Sequence, residues 1–341
     1  MKKFPPLLPV VALVSTAAAQ PPAPPPLPGT RTLARGGLVV EVMDPAAPGR
    51  YHTGARFSPV ANVLRARLGG REFLFAPAEH DPLRDNGGLA MEFDLQTPGG
   101  PPGFAEAAIG GCYLKIGVGT LRKRAENYEF HTPQELVEPA RTAVEWGDGR
   151  AVFRQVCAPV NGYACALTAE VLVGGARVEV RCVLENTGGK PFGTEHYAHN
   201  YFLFDGAPVG PGCRLKFPFE FEAGGLGGGA ARDGREIIFT AVPAAAVNLR
   251  IAPPAGAPNR VAVSHALTGQ RVLCRVSRPA SRVAVHATAR YLCPEQFVRI
   301  TLAPGEKAEW TRSYDFSTGD SPCREGRGER KKQNRGNPAD Q

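Results

Sequence analysis

Several things are scarce in this chain of 341 residues. It has 3 Met, 2 Trp and 7 His, and only 21% of its residues are charged. No Cys-x-x-Cys pair or Cys/His cluster has zinc-site spacing. No Gly-x-Ser-x-Gly elbow, His-Glu-x-x-His helix motif or Gly-x-x-x-x-Gly-Lys-Ser/Thr loop occurs. The glycine run at Gly224–Gly229 lacks the strand-to-helix setting of a phosphate loop. Serine-hydrolase, zincin and nucleotide-triphosphatase chemistries are therefore not indicated, and no metal or cofactor is implied. Long runs of 3.6-residue periodicity are also absent, with HTPQELVEPART the one modest candidate for a helical turn. No apolar run is long enough for an integral membrane span, and no internal repeat shows.

What the chain does have is punctuation. Its 40 Gly and 33 Pro separate short apolar runs at intervals of about ten residues. GLVVEVMD, ANVLRARLGGREFLFAP, YACALTAEVLV, ARVEVRCVLEN, YFLF, RLKFPFEFE, REIIFTAV, AVNLRIAP, RVAVSHAL, SRVAVHAT and FVRITLAP all read as strands. Gly69-Gly70 and Gly174-Gly175 sit where tight hairpins want glycine. The pattern predicts an all-β chain, a large antiparallel β-sandwich.

The ends differ from the middle. Lys2 and Lys3, the apolar stretch Leu7–Val14 and Ala17-Ala18-Ala19 read as a secretory signal over 1–19, so the protein is expected to be exported, periplasmic or extracellular. A Pro-rich linker follows over 20–36, the sandwich domain over 37–317, and a basic, disordered tail over 318–341. The net charge of +8 dissolves on inspection. The signal holds +2 of it and the segment Cys323–Gln341 +3, which leaves an ordinary +3 for the rest. With no alternation of aromatic and basic residues either, no nucleic-acid partner is expected. The 8 cysteines suit an exported protein with some disulfides. Cys157 and Cys165 flank the turn signal Asn161-Gly162, and Cys182 alternates with Val178, Val180 and Leu184 as a core residue would.

The richest stretch is TEHYAHNYFLFDG, Thr194–Gly206. In an extended strand Glu195, Tyr197, His199 and Tyr201 share one face, while His196, Asn200 and Phe202 share the other. A face of Glu, Tyr, His and Tyr suits a sugar cleft: rings cover C–H groups and polar atoms select hydroxyls. His196 and His199 face opposite sides and make a poor metal pair. In LAMEFD, Glu92 is a candidate acceptor for a sugar hydroxyl.

The order ARVEVRCVLENTGGKPF then TEHYAHNYFLFDG resembles the centre of the aldose 1-epimerases, in the galactose mutarotase superfamily. There an Asn-Thr-Gly-type turn leads to an Asn-His-Ser-Tyr-Phe-like strand. The resemblance implies a galactose mutarotase-like sandwich with His199 as general acid. YLCPEQFVRITLAPGEKAEWTRSYDF is similar to the family's C-terminal end, and implies Glu295 as catalytic base. YHTGARFSPVANVLRARLGGREFLF resembles its opening hairpin and implies Arg56 in the cleft. Near GGCYLKIGVGTLRK the family carries a substrate-contacting histidine; this chain has none between His80 and His131, and Lys115 stands in its place, suited to an acidic or phosphorylated sugar. Overall the chain is most similar to exported members of the superfamily.

The expected function is therefore that of an exported carbohydrate-active protein. Glu295 and His199 would catalyse aldose 1-epimerase-like ring opening, facing each other across one cleft about a sugar ring apart. Arg56, Lys115, Glu92, Tyr197, Asn200 and Tyr201 would bind the substrate, a small sugar or glycan. Two other readings stand beside it: a carbohydrate-binding sandwich of the cell envelope without turnover, and a structural protein of the envelope. Oligomeric state has no signature in the sequence.

Overall fold

A computed structural model describes residues 25–94, 99–223 and 226–319. Its strands are numbered in chain order. The first sheet runs β1 (Thr30–Arg35), β2 (Leu38–Met43), β3 (Val63–Leu68), β5 (Leu89–Phe93), β13 (Phe192–Asn200), β21 (Leu292–Leu302), β20 (Arg282–Ala287) and β17 (Val247–Ile251), with β4 (Arg71–Glu72) beside β3. The second runs β15 (Ala230–Asp233), β16 (Glu236–Phe239), β14 (Cys213–Lys216), β18 (Arg260–His265), β19 (Gln270–Val276), β22 (Lys307–Thr318), β12 (Arg177–Asn186), β11 (Cys165–Gly174), β10 (Arg150–Val156) and β9 (Arg141–Gly147). A small third sheet joins β6 (Cys112–Lys115), β7 (Gly119–Arg122) and β8 (Glu135–Pro139). All pairings are antiparallel. The architecture is the antiparallel sandwich that the strand spacing predicts, and no helix occurs among the described residues.

The two large sheets share one core. Met91 and Cys182 touch across it, sulfur to sulfur at 3.7 Å, and the Phe93 and Trp310 rings meet edge to face at 6.3 Å. Burial of such side chains contributes about 1.5–3 kcal/mol each. In the second sheet β11, β12 and β22 alternate buried and exposed positions, as strands with one wet face should. In the first sheet β5 is buried throughout, and β13 and most of β21 nearly so. Their outer face is covered too, and there polar residues go out of solvent.

The hairpin glycines meet their turns. Leu68 pairs with Arg71 around Gly69 and Gly70, whose φ values of +58° and +79° are those of a type I′ turn. Gly174 pairs with Arg177, and Gly175 at φ +60° takes the first central place of a II′-like turn.

Some expectations fail locally. Within HTPQELVEPART, Glu135–Pro139 is strand β8 because Gly119–Arg122 offers it a ladder, and Arg141 opens β9 against β10; Pro139 sits at the end of β8 on the edge of that sheet, where no N–H is needed. RLKFPFEFE stops at Lys216, two residues before Pro218. KIGVG is not one strand: Gly117 turns at φ +78°, and Val118 N–H donates to the Lys115 carbonyl at 3.0 Å. YFLF lies beyond β13 and makes isolated bridges through Phe202. The linker assigned to 20–36 contains β1, so the folded part begins earlier than composition suggests. The signal at 1–19, the start of that linker and the tail from residue 320 lie outside the described residues. The 7 described cysteines are free thiols, so the expected disulfides do not form among them. Cys157 and Cys165 do adjoin across a hairpin, N–H to carbonyl at 3.0 Å, and Cys182 points into the core.

Candidate active site

The outer face of the first sheet is set by period-two alternation on four strands. On β21, Cys293, Glu295 and Phe297 point outward while Pro294 and Gln296 point to the core side. On β20 the matching residues are His286, Ala284 and Arg282, paired with those three in turn. On β17, Asn248 and Arg250 pair with His286 and Ala284. On β13, His196 pairs with Val298 and Phe202 bridges Leu292, and that register sets His199 opposite Glu295.

Between those two pairings sits Pro294, which has no N–H for the ladder. Its carbonyl accepts instead from the Asn200 side chain at 2.7 Å, and the Tyr314 hydroxyl donates to the Asn200 carbonyl oxygen at 2.9 Å. Asn200 therefore holds the strand from the core side. It does not line the cleft, and its assignment to substrate binding is corrected.

A cavity of about 730 Å³ opens on the outer face, within the 300–1,000 Å³ usual for small-ligand sites. At its floor His199 Nε2 lies 3.2 Å from Glu295 Oε1. The Cys293 thiol lies 2.9 Å from His199 Nδ1 and 3.8 Å from Glu295 Oε1. Tyr201 stacks on the His199 ring at 4.1 Å, and Tyr291 meets Tyr201 at 4.9 Å. Phe75, Phe130 and Tyr291 add aromatic wall.

Burial first, and then the charges of Arg56 and His286, push the His199 imidazole well below its usual range. Burial, with Glu92 nearby, pushes Glu295 up to about 8. At neutral pH the pair thus holds one proton, on Glu295, beside a neutral imidazole. The ion pair with ionised glutamate and protonated histidine contains the same proton, moved along the 3.2 Å contact. The two groups are in direct contact rather than a sugar ring apart.

The other expected residues divide. Arg56 lines the cavity, with its guanidinium between the Phe57 and Phe130 rings at 4.6 and 4.7 Å. Its Nε donates to Glu92 Oε2 at 2.9 Å, and its Nη2 to the Tyr197 hydroxyl at 3.3 Å. Tyr197 also donates to Glu92 and stacks on Phe297 at 4.3 Å. Glu92 and Tyr197 are fully buried, so they aim Arg56 and are themselves out of a ligand's reach. Burial works against the Arg56 charge, and Glu92 with Tyr197 outweighs it. Lys115 is fully buried. Its ammonium donates to the Phe93 carbonyl, and burial is overcome by Tyr128, Asp94 and Glu92 around it. It does not line the cavity, because Gly117 turns the chain behind β5. The substrate-binding assignments of Lys115, Glu92 and Tyr197 are corrected to support.

Several residues of the site went unassigned in the sequence: Arg282, His286, Arg250, Arg290 and Tyr291 on the cavity wall, and the buried Cys293 beside His199. For some a signal existed. In SRVAVHAT, alternation alone puts Arg282, Ala284 and His286 on one face, and Cys293 stands two before Glu295. Their convergence depends on the order β17-β20-β21-β13, which no local pattern states. One N, S and O set, His199, Cys293 and Glu295, has ligand atoms within 4.8 Å of one another. Both imidazole nitrogens are already engaged by different partners, so the geometry is that of a hydrogen-bonded trio.

No family model matches the chain, and no curated protein matches it. Solved structures do. A putative aldose 1-epimerase from Escherichia coli K12 superposes with TM-score 0.56 at 14% identity, over 85% of this chain and 99% of that one. A galactose mutarotase-like protein from Clostridium acetobutylicum gives 0.52 at 13%, over 84% and 94%. A galactose mutarotase related enzyme from Lactobacillus acidophilus gives 0.52 at 12%, over 85% and 98%. At such identities the likeness is one of fold: the chain has the galactose mutarotase-like sandwich over nearly the full length of these proteins.

Proposed function

We propose that this protein binds a pyranose in the cavity over β13 and β21 and interconverts its anomers by acid–base ring opening at His199 and Glu295. The observation that carries the proposal is the 3.2 Å contact between these two buried groups at the floor of a sugar-sized cavity. The named activities of the fold's relatives agree with it.

Ring opening takes a proton from the anomeric hydroxyl and delivers one to the ring oxygen as the C1–O5 bond breaks. A pair holding one proton does both. The sugar displaces the hydrogen bond between the two side chains, one contacting each oxygen. After rotation about C1–C2, closure on the other face runs the transfers backward and restores the pair. The resemblance gives Glu295 the base role and His199 the acid role; the resting proton on Glu295 reaches His199 along their contact. Arg56, clamped by Glu92 and Tyr197, presents its remaining donors to sugar oxygens. Tyr201, Tyr291 and Phe75 offer ring faces to sugar C–H groups. We further propose export, supported by the pattern Lys2-Lys3, Leu7–Val14 and Ala17–Ala19.

A second reading, sugar binding without turnover, has one observation in its favour: His199 and Glu295 already satisfy each other by direct contact. An NMR exchange screen of aldoses and hexuronic acids separates the two. Turnover predicts enzyme-dependent anomer exchange for at least one sugar, and binding with only the spontaneous rate overturns it.

A further inference from the structure

Five arginines line the cavity: Arg56, Arg84, Arg250, Arg282 and Arg290. Three are spoken for. Arg56 is held by Glu92. Arg282 contacts Glu195 at 3.1 Å and lies on the Phe297 ring at 3.3 Å. Arg84 faces Asp81 at 3.7 Å, on the loop that also carries the lining carboxylates Glu79 and Asp85. Arg250 and Arg290 have no ion-pair partner among the described residues. The Arg290 guanidinium lies over the Phe75 ring, 4.8 Å from its centre.

The register gives Arg250 its place. Glu295 pairs with Ala284, and Ala284 with Arg250. Arg250 therefore stands two strands from Glu295 on the same face, about 10 Å away at ordinary strand spacing, and only a methyl group rises between them. A pyranose with its anomeric carbon at Glu295 and its ring over Ala284 brings its far end toward Arg250.

Two guanidinium forks that line one cavity without a carboxylate partner are shaped for a carboxylate or phosphate. We infer that Arg250 and Arg290 form an anion subsite, and that the substrate is a sugar bearing a carboxylate or a phosphate away from its anomeric carbon. The inference rests on the reading of His199 and Glu295 as the anomeric site. Relative to a neutral sugar, the subsite adds a charge-assisted contact in a partly enclosed cavity, where such contacts outlast those on open surface.

The test uses the full chain at low salt, with galacturonate, glucuronate and glucose 6-phosphate against galactose and glucose. Calorimetry gives affinities, and NMR anomer exchange is read on the same samples. At least one anionic sugar should bind about tenfold or more tighter than its neutral parent, a difference of about 1.4 kcal/mol. In the double variant Arg250→Gln/Arg290→Gln that ratio should fall to about one, and added salt should lower it in the wild type. Both side chains are exposed, so the variant should fold. The uronates against the sugar phosphate decide which anion is meant. Equal binding of charged and neutral sugars, or a preference that survives the double variant, overturns the subsite even if anomer exchange is fast. Tight arginine-dependent binding without exchange sustains the subsite and overturns the acid–base reading instead.

Discussion

His196 and His199 lie three residues apart on β13, and both are buried, yet their surroundings share almost nothing. His196 points into the core, between Phe93 at 4.6 Å and Trp310 at 4.8 Å, with Nδ1 3.1 Å from the Glu92 carbonyl. Burial and Arg312 hold it well below the usual imidazole range. His199 points the other way, into a cavity, with Glu295 and Cys293 on its two nitrogens. Residue type and burial are the same in both cases. What separates packing from chemistry is an open volume on one face and a second titratable group within hydrogen-bond reach.

The largest effects should break this symmetry outright. His199→Ala or Glu295→Gln should slow anomer exchange about 10²–10⁴-fold with the fold intact by circular dichroism. His196→Ala should do the reverse. It leaves exchange per folded molecule within a few-fold and lowers stability by about 1–3 kcal/mol, read by urea unfolding.

Next comes pH, which the two faces should feel with opposite sign. His196 is kept neutral in the folded state, so its contribution is complete above about 6.5 and is lost as pH falls below it, by about 1.4 kcal/mol per unit. His52, pushed down to about 4 by burial, adds a second loss over the same window. Glu295 is raised to about 8, so its protonated form favours folding most below about 4.3, and this is lost as pH rises toward 8. Exchange activity should stay level through neutral pH and fall above about 8, when the pair loses its single proton. An unburied pair would work only between the ordinary values of about 4.3 and 6.5.

The smallest effects fall on the supports. Asn200→Ala removes the bracket on Pro294 and should cost about 1 kcal/mol of stability with little change in exchange. Cys293→Ala takes one partner from His199 Nδ1, worth about 1 kcal/mol, and should slow exchange several-fold. Cys293→Ser should recover part of it.

The frame of the molecule was legible because strand alternation and glycine turns are local. β11 and β12, with their Gly174-Gly175 corner, are readable from twenty residues. Motif order singled out His199 and Glu295, and the fold brings the two into contact in one cavity. The supports misled for a physical reason. Lys115, Glu92 and Asn200 are polar residues on strands, and sequence does not show that β5, β13 and β21 are covered on both faces. A polar side chain there can satisfy a carbonyl or a charge inside the protein as readily as it can meet a ligand. Arg250, Arg290 and His286 escaped for the opposite reason, since they reach the site only through the non-local order of β17, β20 and β21.

The central claim is that His199 and Glu295 act as one proton-sharing unit on a sugar. The most direct test compares anomer-exchange rates of His199→Ala, Glu295→Gln and the double variant with the wild type. Groups that act as a unit lose their effect together, so the double variant should be no slower than the slower single variant, within a few-fold. Losses that multiply in the double variant, or a single variant exchanging at the wild-type rate, would contradict the account.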